Sequence, residues 1–151
     1  MTSEAEARQV VVAGVDGSAE SVAALGWAVR HGKATGATVR AVHAWHYPAA
    51  AGVVPPVGVT PEPVEAQVER RLRDDLEKAV DRVCTDPSDA RPEIRLHYGH
   101  PADALIAESH DASLLVVGHR GHRAITGMLV GSVAFQCISS ASCPVVVVRG
   151  A

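Results

Sequence analysis

Short apolar runs alternate with longer amphipathic stretches from one end of this 151-residue chain to the other. The run Gln9–Val15 is almost unbroken in Val, Ala and Gly, which suits a strand buried on both faces. Thr38–Trp45, Ser113–Val117 and Pro144–Val148 supply further strands. Glu93–Tyr98 alternates charged and apolar residues, as at the edge of a sheet. Between the strands lie helical patterns. The first spans about Ala19–Ala34, with Val22, Leu25 and Val29 on one face and Gly36 placed to end it. The second runs to about Cys84, with Val64, Val68, Leu72, Leu76, Val80 and Val83 in a stripe at steps of three or four. Pro61 and Pro63 fall in its first turn, where proline is tolerated. Short helices follow at about Pro101–His110 and Ser132–Ser140. Strands alternating with helices imply a parallel sheet with right-handed crossovers and helices on both faces, a three-layer α/β/α sandwich.

Residues 1–8 read as a loose tail, and residues 9–151 as a single domain. His46–Thr60 is rich in Pro, Gly, Ala and Val without a clear period; it reads as a loop long enough to cover a site.

The most distinctive stretch is Leu114–Ser132. A strand ends at Gly118-His-Arg-Gly121; nine residues later Gly131-Ser132 opens a helix. A helix start offers free backbone N–H groups and the positive end of the peptide dipole, which suits an anion. Glycines there allow the turn and keep side chains away from an approaching phosphate. The Ser132 hydroxyl could donate to that phosphate or cap the helix. A lone Gly-x2-Gly pair is a weak signal; the whole Gly-x2-Gly-x9-Gly-Ser pattern between strand and helix is restrictive.

This stretch resembles the nucleotide-binding signature of the universal stress protein family, in its ATP-binding branch. The resemblance extends through Val11-Val-Ala-Gly-Val-Asp16-Gly-Ser18, Val39-Arg-Ala-Val-His43-Ala44, Gly99-His-Pro101 and Cys143-Pro144-Val-Val-Val-Val148, in the family's order. It implies a Rossmann-like sheet of order 3-2-1-4-5, as in the adenine-nucleotide α-hydrolase-like folds, with the winding reversed between strands one and four. Ligands of such sheets bind beyond the carboxyl ends of the strands at that reversal. The resemblance implies ATP with Mg2+ as ligand and a homodimer through Pro144–Val148.

On that reading Gly14, Val15 and Asp16 end strand one at the site. Asp16 either meets a ribose hydroxyl or a bridging Mg2+, or caps its own Asp-Gly-Ser turn. The family often has proline where Gly14 stands. By resemblance, Ala44 offers backbone to the adenine, and Val117 lines the same pocket. Gly118, Arg120 and Gly121 flank the phosphates, with Arg120 either a forked phosphate ligand or an exposed loop cation. Gly131, Ser132 and Val133 supply the helix start. Ile125, Met128 and Leu129 read as packed apolar anchors.

The eight histidines include three pairs at spacing three, 43/46, 97/100 and 119/122, all in strand ends or loops where the rings need not converge on a metal. Cys137 and Cys143 read as small buried apolar residues. A net charge of −3 argues against a general nucleic-acid binder. No apolar run reaches the roughly 20 residues that span a bilayer, and the polar first residues lack a signal-peptide core; a cytoplasmic location is expected. The function read from the chain is that of an ATP-holding regulatory protein of the stress response. The alternatives are a slow ATPase and a dimeric interaction module that binds no nucleotide. Gly-x4-Gly-Lys-[Ser/Thr] is absent, and no base stands out to activate water.

Overall fold

A computed structural model of the chain describes residues 9–46, 64–122 and 127–150. Its elements run β1 (Val10–Gly14), α1 (Ala19–Thr35), β2 (Thr38–Trp45), α2 (Val64–Val83), β3 (Glu93–Tyr98), α3 (Pro101–Ser109), β4 (Leu114–Gly118), α4 (Ser132–Ser140) and β5 (Val145–Val148). The tail 1–8, most of the 46–60 stretch, Pro61, Pro63 and Ile125 lie outside the described residues.

All five strands are parallel, in the order β3-β2-β1-β4-β5. The register sets Val11 beside both Val39 and Leu114, so β1 is the central strand. Its residues Val11, Val12 and Ala13 are fully buried, as their unbroken apolar run requires. The winding reverses between β1 and β4.

Alternate residues of the strands feed two core layers. On one face Val11, Ala13, Val39 and Val116 pack with Leu25, Ala28 and Val29 of α1 and Leu76, Ala79 and Val80 of α2. On the other, Val12, Val42, Leu115 and Val117 pack with Leu105 of α3 and Ala134 and Cys137 of α4. Each fully buried Leu or Val contributes about 1.5–3 kcal/mol.

The helix ends follow local chemistry. Ser18 caps α1, its hydroxyl accepting from the Ser21 amide at 3.2 Å. Gly36 closes α1 in the left-handed region (φ 77°), where glycine carries no side-chain penalty, and its N–H donates to the Gly32 carbonyl. The α2 stripe is only half used. Leu76 and Val80 are buried, whereas Val64 is exposed, because the core layer receives α2 through its C-terminal half.

One core feature escapes an apolar pattern. Glu108 of α3 is buried, with His97 Nε2 at 2.7 Å, Arg40 at 3.3 Å and Arg95 at 3.4 Å. This ionic cluster fastens α3 to β2 and β3. No helix among the described residues is long and apolar enough to cross a membrane.

Candidate functional site

The carboxyl ends of β1, β2 and β4 and the starts of α3 and α4 surround a crevice of about 660 Å³. Gly14, Val15, Asp16, Ala44, Val117, Gly118, Arg120, Gly121, Gly131, Ser132 and Val133 all line it. The winding reversal brings these distant segments to one place.

The glycine loop is built by backbone contacts. The Gly131 N–H donates to the His119 carbonyl at 2.6 Å, closing the loop onto the start of α4. The His119 N–H donates to Val148 of β5. None of Gly118, Gly121 and Gly131 has a positive φ, so the turn does not require their conformational freedom. Close approach requires them instead. A Cβ at Gly118 would lie 3.0 Å from the Glu20 backbone. One at Gly121 would lie 2.6 Å from Asp16 Oδ2, and one at Gly131 would lie 3.3 Å from the backbone of His119 and Arg120.

The helix start corrects one expectation. Gly131 is the N-cap residue of α4 and Ser132 its first helical residue, so the serine hydroxyl does not cap. The amides of the first turn therefore lack a side-chain acceptor, and Ser132, Val133 and Ala134 all border the crevice. The start of α3 at His100 likewise has no side-chain cap. Arg120 stands among these groups with its Nε buried and without a hydrogen-bond partner among the described residues. An orphaned guanidinium nitrogen beside an uncapped helix start is a local excess of donors, suited to an anion.

Asp16 ties the two loops together. Its Oδ1 accepts from the Ser18 amide at 2.9 Å and the Ser18 hydroxyl at 2.5 Å, and its Oδ2 accepts from the His122 amide at 3.2 Å. Burial pushes the carboxyl up, but the bonds from Ser18, Ser21 and His122 outweigh it and hold it below the usual aspartate range. The turn-capping geometry is therefore present, and a carboxylate with about four acceptor positions keeps room for more.

The histidine pairs diverge. His97 serves Glu108, while His100 meets His46 with ring centroids 5.0 Å apart. His119 Nδ1 lies 3.6 Å from Glu20, whereas the His122 amide serves Asp16. Among the described residues no three His, Cys, Asp or Glu side chains are grouped to hold a metal. Cys137 is fully buried and its thiol is pushed up to about 11 by burial, with Cys143 adding to the shift; Cys143 is half-buried beside it. Met128 and Leu129 are not packed anchors: they are 42% and 79% exposed, on the approach to α4.

The residues at the α3 side, His100, Pro101, Ala102 and Asp103, were not among those chosen from sequence, nor was His122. The signal for the former was available, since a helix following β3 starts at the same sheet end as the glycine loop.

Comparison with known proteins agrees with this architecture. The family model described as the universal stress protein family matches residues 7–149. The chain belongs to the universal stress protein family. A universal stress protein of Mycolicibacterium smegmatis is 34% identical over 144 residues, covering 95% of this chain and 47% of the relative. The chain thus spans about half the length of the curated relatives it matches first. Among solved structures, a universal stress protein in complex with cAMP is 28% identical, with a TM-score of 0.64 over 95% of this chain and 98% of the other. The universal stress protein from Archaeoglobus fulgidus in complex with dAMP is 26% identical, with a TM-score of 0.59 over 93% and 97%.

Proposed function

We propose that this universal stress protein holds ATP with Mg2+ in the crevice and acts as a nucleotide-dependent regulatory protein. The observation that carries the reading is the buried, unpartnered Nε of Arg120 beside the uncapped start of α4. Both are unsatisfied donors, and a phosphate chain along Gly118–Gly121 would satisfy both. The adenine would lie toward Gly14, Val15 and Ala44, with Val117 beneath it. That two structural relatives are described with cAMP and dAMP supports an adenine nucleotide.

Mg2+ binds through phosphate oxygens, waters and one or two carboxylates. Asp16 fits that part: it borders the crevice, and its hydrogen bonds favour the anionic form. Bound there, the cation would neutralise phosphate charge. The chain would act as a homodimer through Pro144–Val148. The valines of β5 alternate between the two core layers, so their faces are covered and their half-exposure comes from the open sheet edge. Exposed Phe135 and Ile138 extend an apolar surface on α4.

Thermal melting with and without Mg-ATP tests the reading. Ligand at roughly 1,000 times its dissociation constant stabilises by about 4 kcal/mol. At about 2–4 °C per kcal/mol for a chain of this size, the midpoint should rise by at least several degrees. No shift in nucleotide-free protein would end the reading. Steady turnover within the roughly 1–10³ per second typical of enzymes would move it to an ATPase.

A further inference from the structure

We propose that His43 is the residue that reads a hydrogen-bond donor on the bound nucleotide, acting as an acceptor through its Nε2. The inference rests on nucleotide binding in the crevice and goes beyond it by naming a specificity element. His43 Nδ1 lies 2.7 Å from the Val15 carbonyl oxygen. A carbonyl can only accept, so Nδ1 carries the proton and donates. In the neutral imidazole the other nitrogen is then a bare acceptor. The bond joins the ends of β2 and β1, two neighbouring strands, and so fixes the ring as well as its tautomer.

The free end of the ring is available. No described residue bonds to Nε2, although the side chain is only partly exposed. His43 lines the crevice together with Val15, Asp16 and Ala44. His43, Val15 and Asp16 also border a second, smaller cavity of about 350 Å³ under α2, so the imidazole stands in the wall between two openings. At the α4 side of the crevice stand donors: the α4 amides, Arg120 and the Ser132 hydroxyl. They serve the anionic part of a nucleotide. A nucleoside also carries donors, its ribose hydroxyls and the exocyclic amine of adenine. Asp16 and Asp103 are competing acceptors that border the crevice, and Asp16 already receives three bonds. His43 Nε2 is an acceptor on a ring already fixed by its bond to Val15, and no described residue occupies it.

The test pairs ligand analogues with one substitution. His43→Asn keeps a donor for the Val15 carbonyl, since the Asn amide nitrogen occupies the place of Nδ1, but it has nothing at the position of Nε2. Calorimetric dissociation constants are measured for ATP, 2′-deoxy-ATP, 3′-deoxy-ATP and ITP on both proteins. On the wild type, one of the three analogues should bind about three- to tenfold weaker than ATP, the range of one neutral hydrogen bond. That deficit should vanish in His43→Asn, and which analogue shows it distinguishes ribose from base. Imidazole 15N spectra of the wild type should show Nδ1 protonated and Nε2 bare before ligand is added. If nucleotides bind but the analogue differences survive in His43→Asn, or if Nδ1 proves bare, the assignment to His43 is overturned. If the wild type binds none of the four, the crevice reading fails and this one with it.

Discussion

Replacing Gly118 with Ala separates the packing role of the glycine loop from its proposed ligand role. The added methyl would sit 3.0 Å from the carbonyl carbon of Glu20 and 3.1 Å from its oxygen. These are backbone atoms in the first turn of α1, anchored by the Ser18 cap, and they cannot swing aside as a side-chain tip would. Forcing extra volume into a well-packed site costs typically about 1–3 kcal/mol. At about 2–4 °C per kcal/mol, the ligand-free midpoint should fall by roughly 2–12 °C. The methyl meets α1 rather than a ligand, so the rise on adding Mg-ATP should persist. Differential scanning fluorimetry on the two proteins, each with and without Mg-ATP, gives both quantities. An unchanged ligand-free midpoint with a lost Mg-ATP response would refute the reasoning. Gly118 would then be bare for the phosphate and not for α1.

Four further outcomes follow from particular contacts. Arg120→Ala removes a guanidinium whose buried Nε has no described partner and should weaken ATP by about 10–100-fold in calorimetry, the range of a charge-assisted bond, with little change in ligand-free stability. Asp16 has its carboxyl held low, so its contribution is complete above the unfolded value near 4 and is lost as pH falls through the lower folded value; melting curves should show the wild-type advantage over Asp16→Asn shrinking below about pH 4. Glu108→Ala removes the buried carboxylate shared by Arg40, Arg95 and His97, although Arg40 keeps Asp111 and Arg95 keeps Glu93; it should cost about 1–3 kcal/mol in urea denaturation, while leaving nucleotide affinity within about twofold where the protein is folded. Val146→Lys, on the open edge, should give monomer or insoluble protein by light scattering, whereas a wild type of single-chain mass at micromolar concentration would remove the dimer.

The parallel sheet was legible because β1 and β4 are buried on both faces and show no alternation, while β3, at one edge, does alternate. The helix end at Gly36 was legible because its chemistry is local. The strand order was not in the periodicity at all and came only through family resemblance. Contacts made across the chain were also hidden. Nothing in the sequence marked Glu108 as buried, since its partners stand 11 to 68 residues away along the chain. Met128 and Leu129 looked like anchors because apolar residues in a loop usually are; the structure leaves them exposed. His122 reaches Asp16 through its backbone amide, a group every residue carries and no motif marks.

The glycines and Asp16 each turn out to serve two readings at once. Gly118 and Gly131 are small because protein backbone approaches them, and Gly121 because the Asp16 carboxylate does. Asp16 in turn caps its own loop and grips the glycine loop through His122. A chain that bound nothing would need all of these residues merely to close the β4–α4 connection onto β1. Their presence therefore argues for a shape, and the shape is compatible with an empty crevice. What the closed loop does not need is Arg120 with a buried nitrogen left unpartnered, or a helix start without a capping side chain. Burying an unsatisfied donor such as the Arg120 nitrogen costs about 1–3 kcal/mol, and a fold has cheaper ways to finish a loop. The case for an anion in this crevice thus rests on the two features the glycine pattern does not explain.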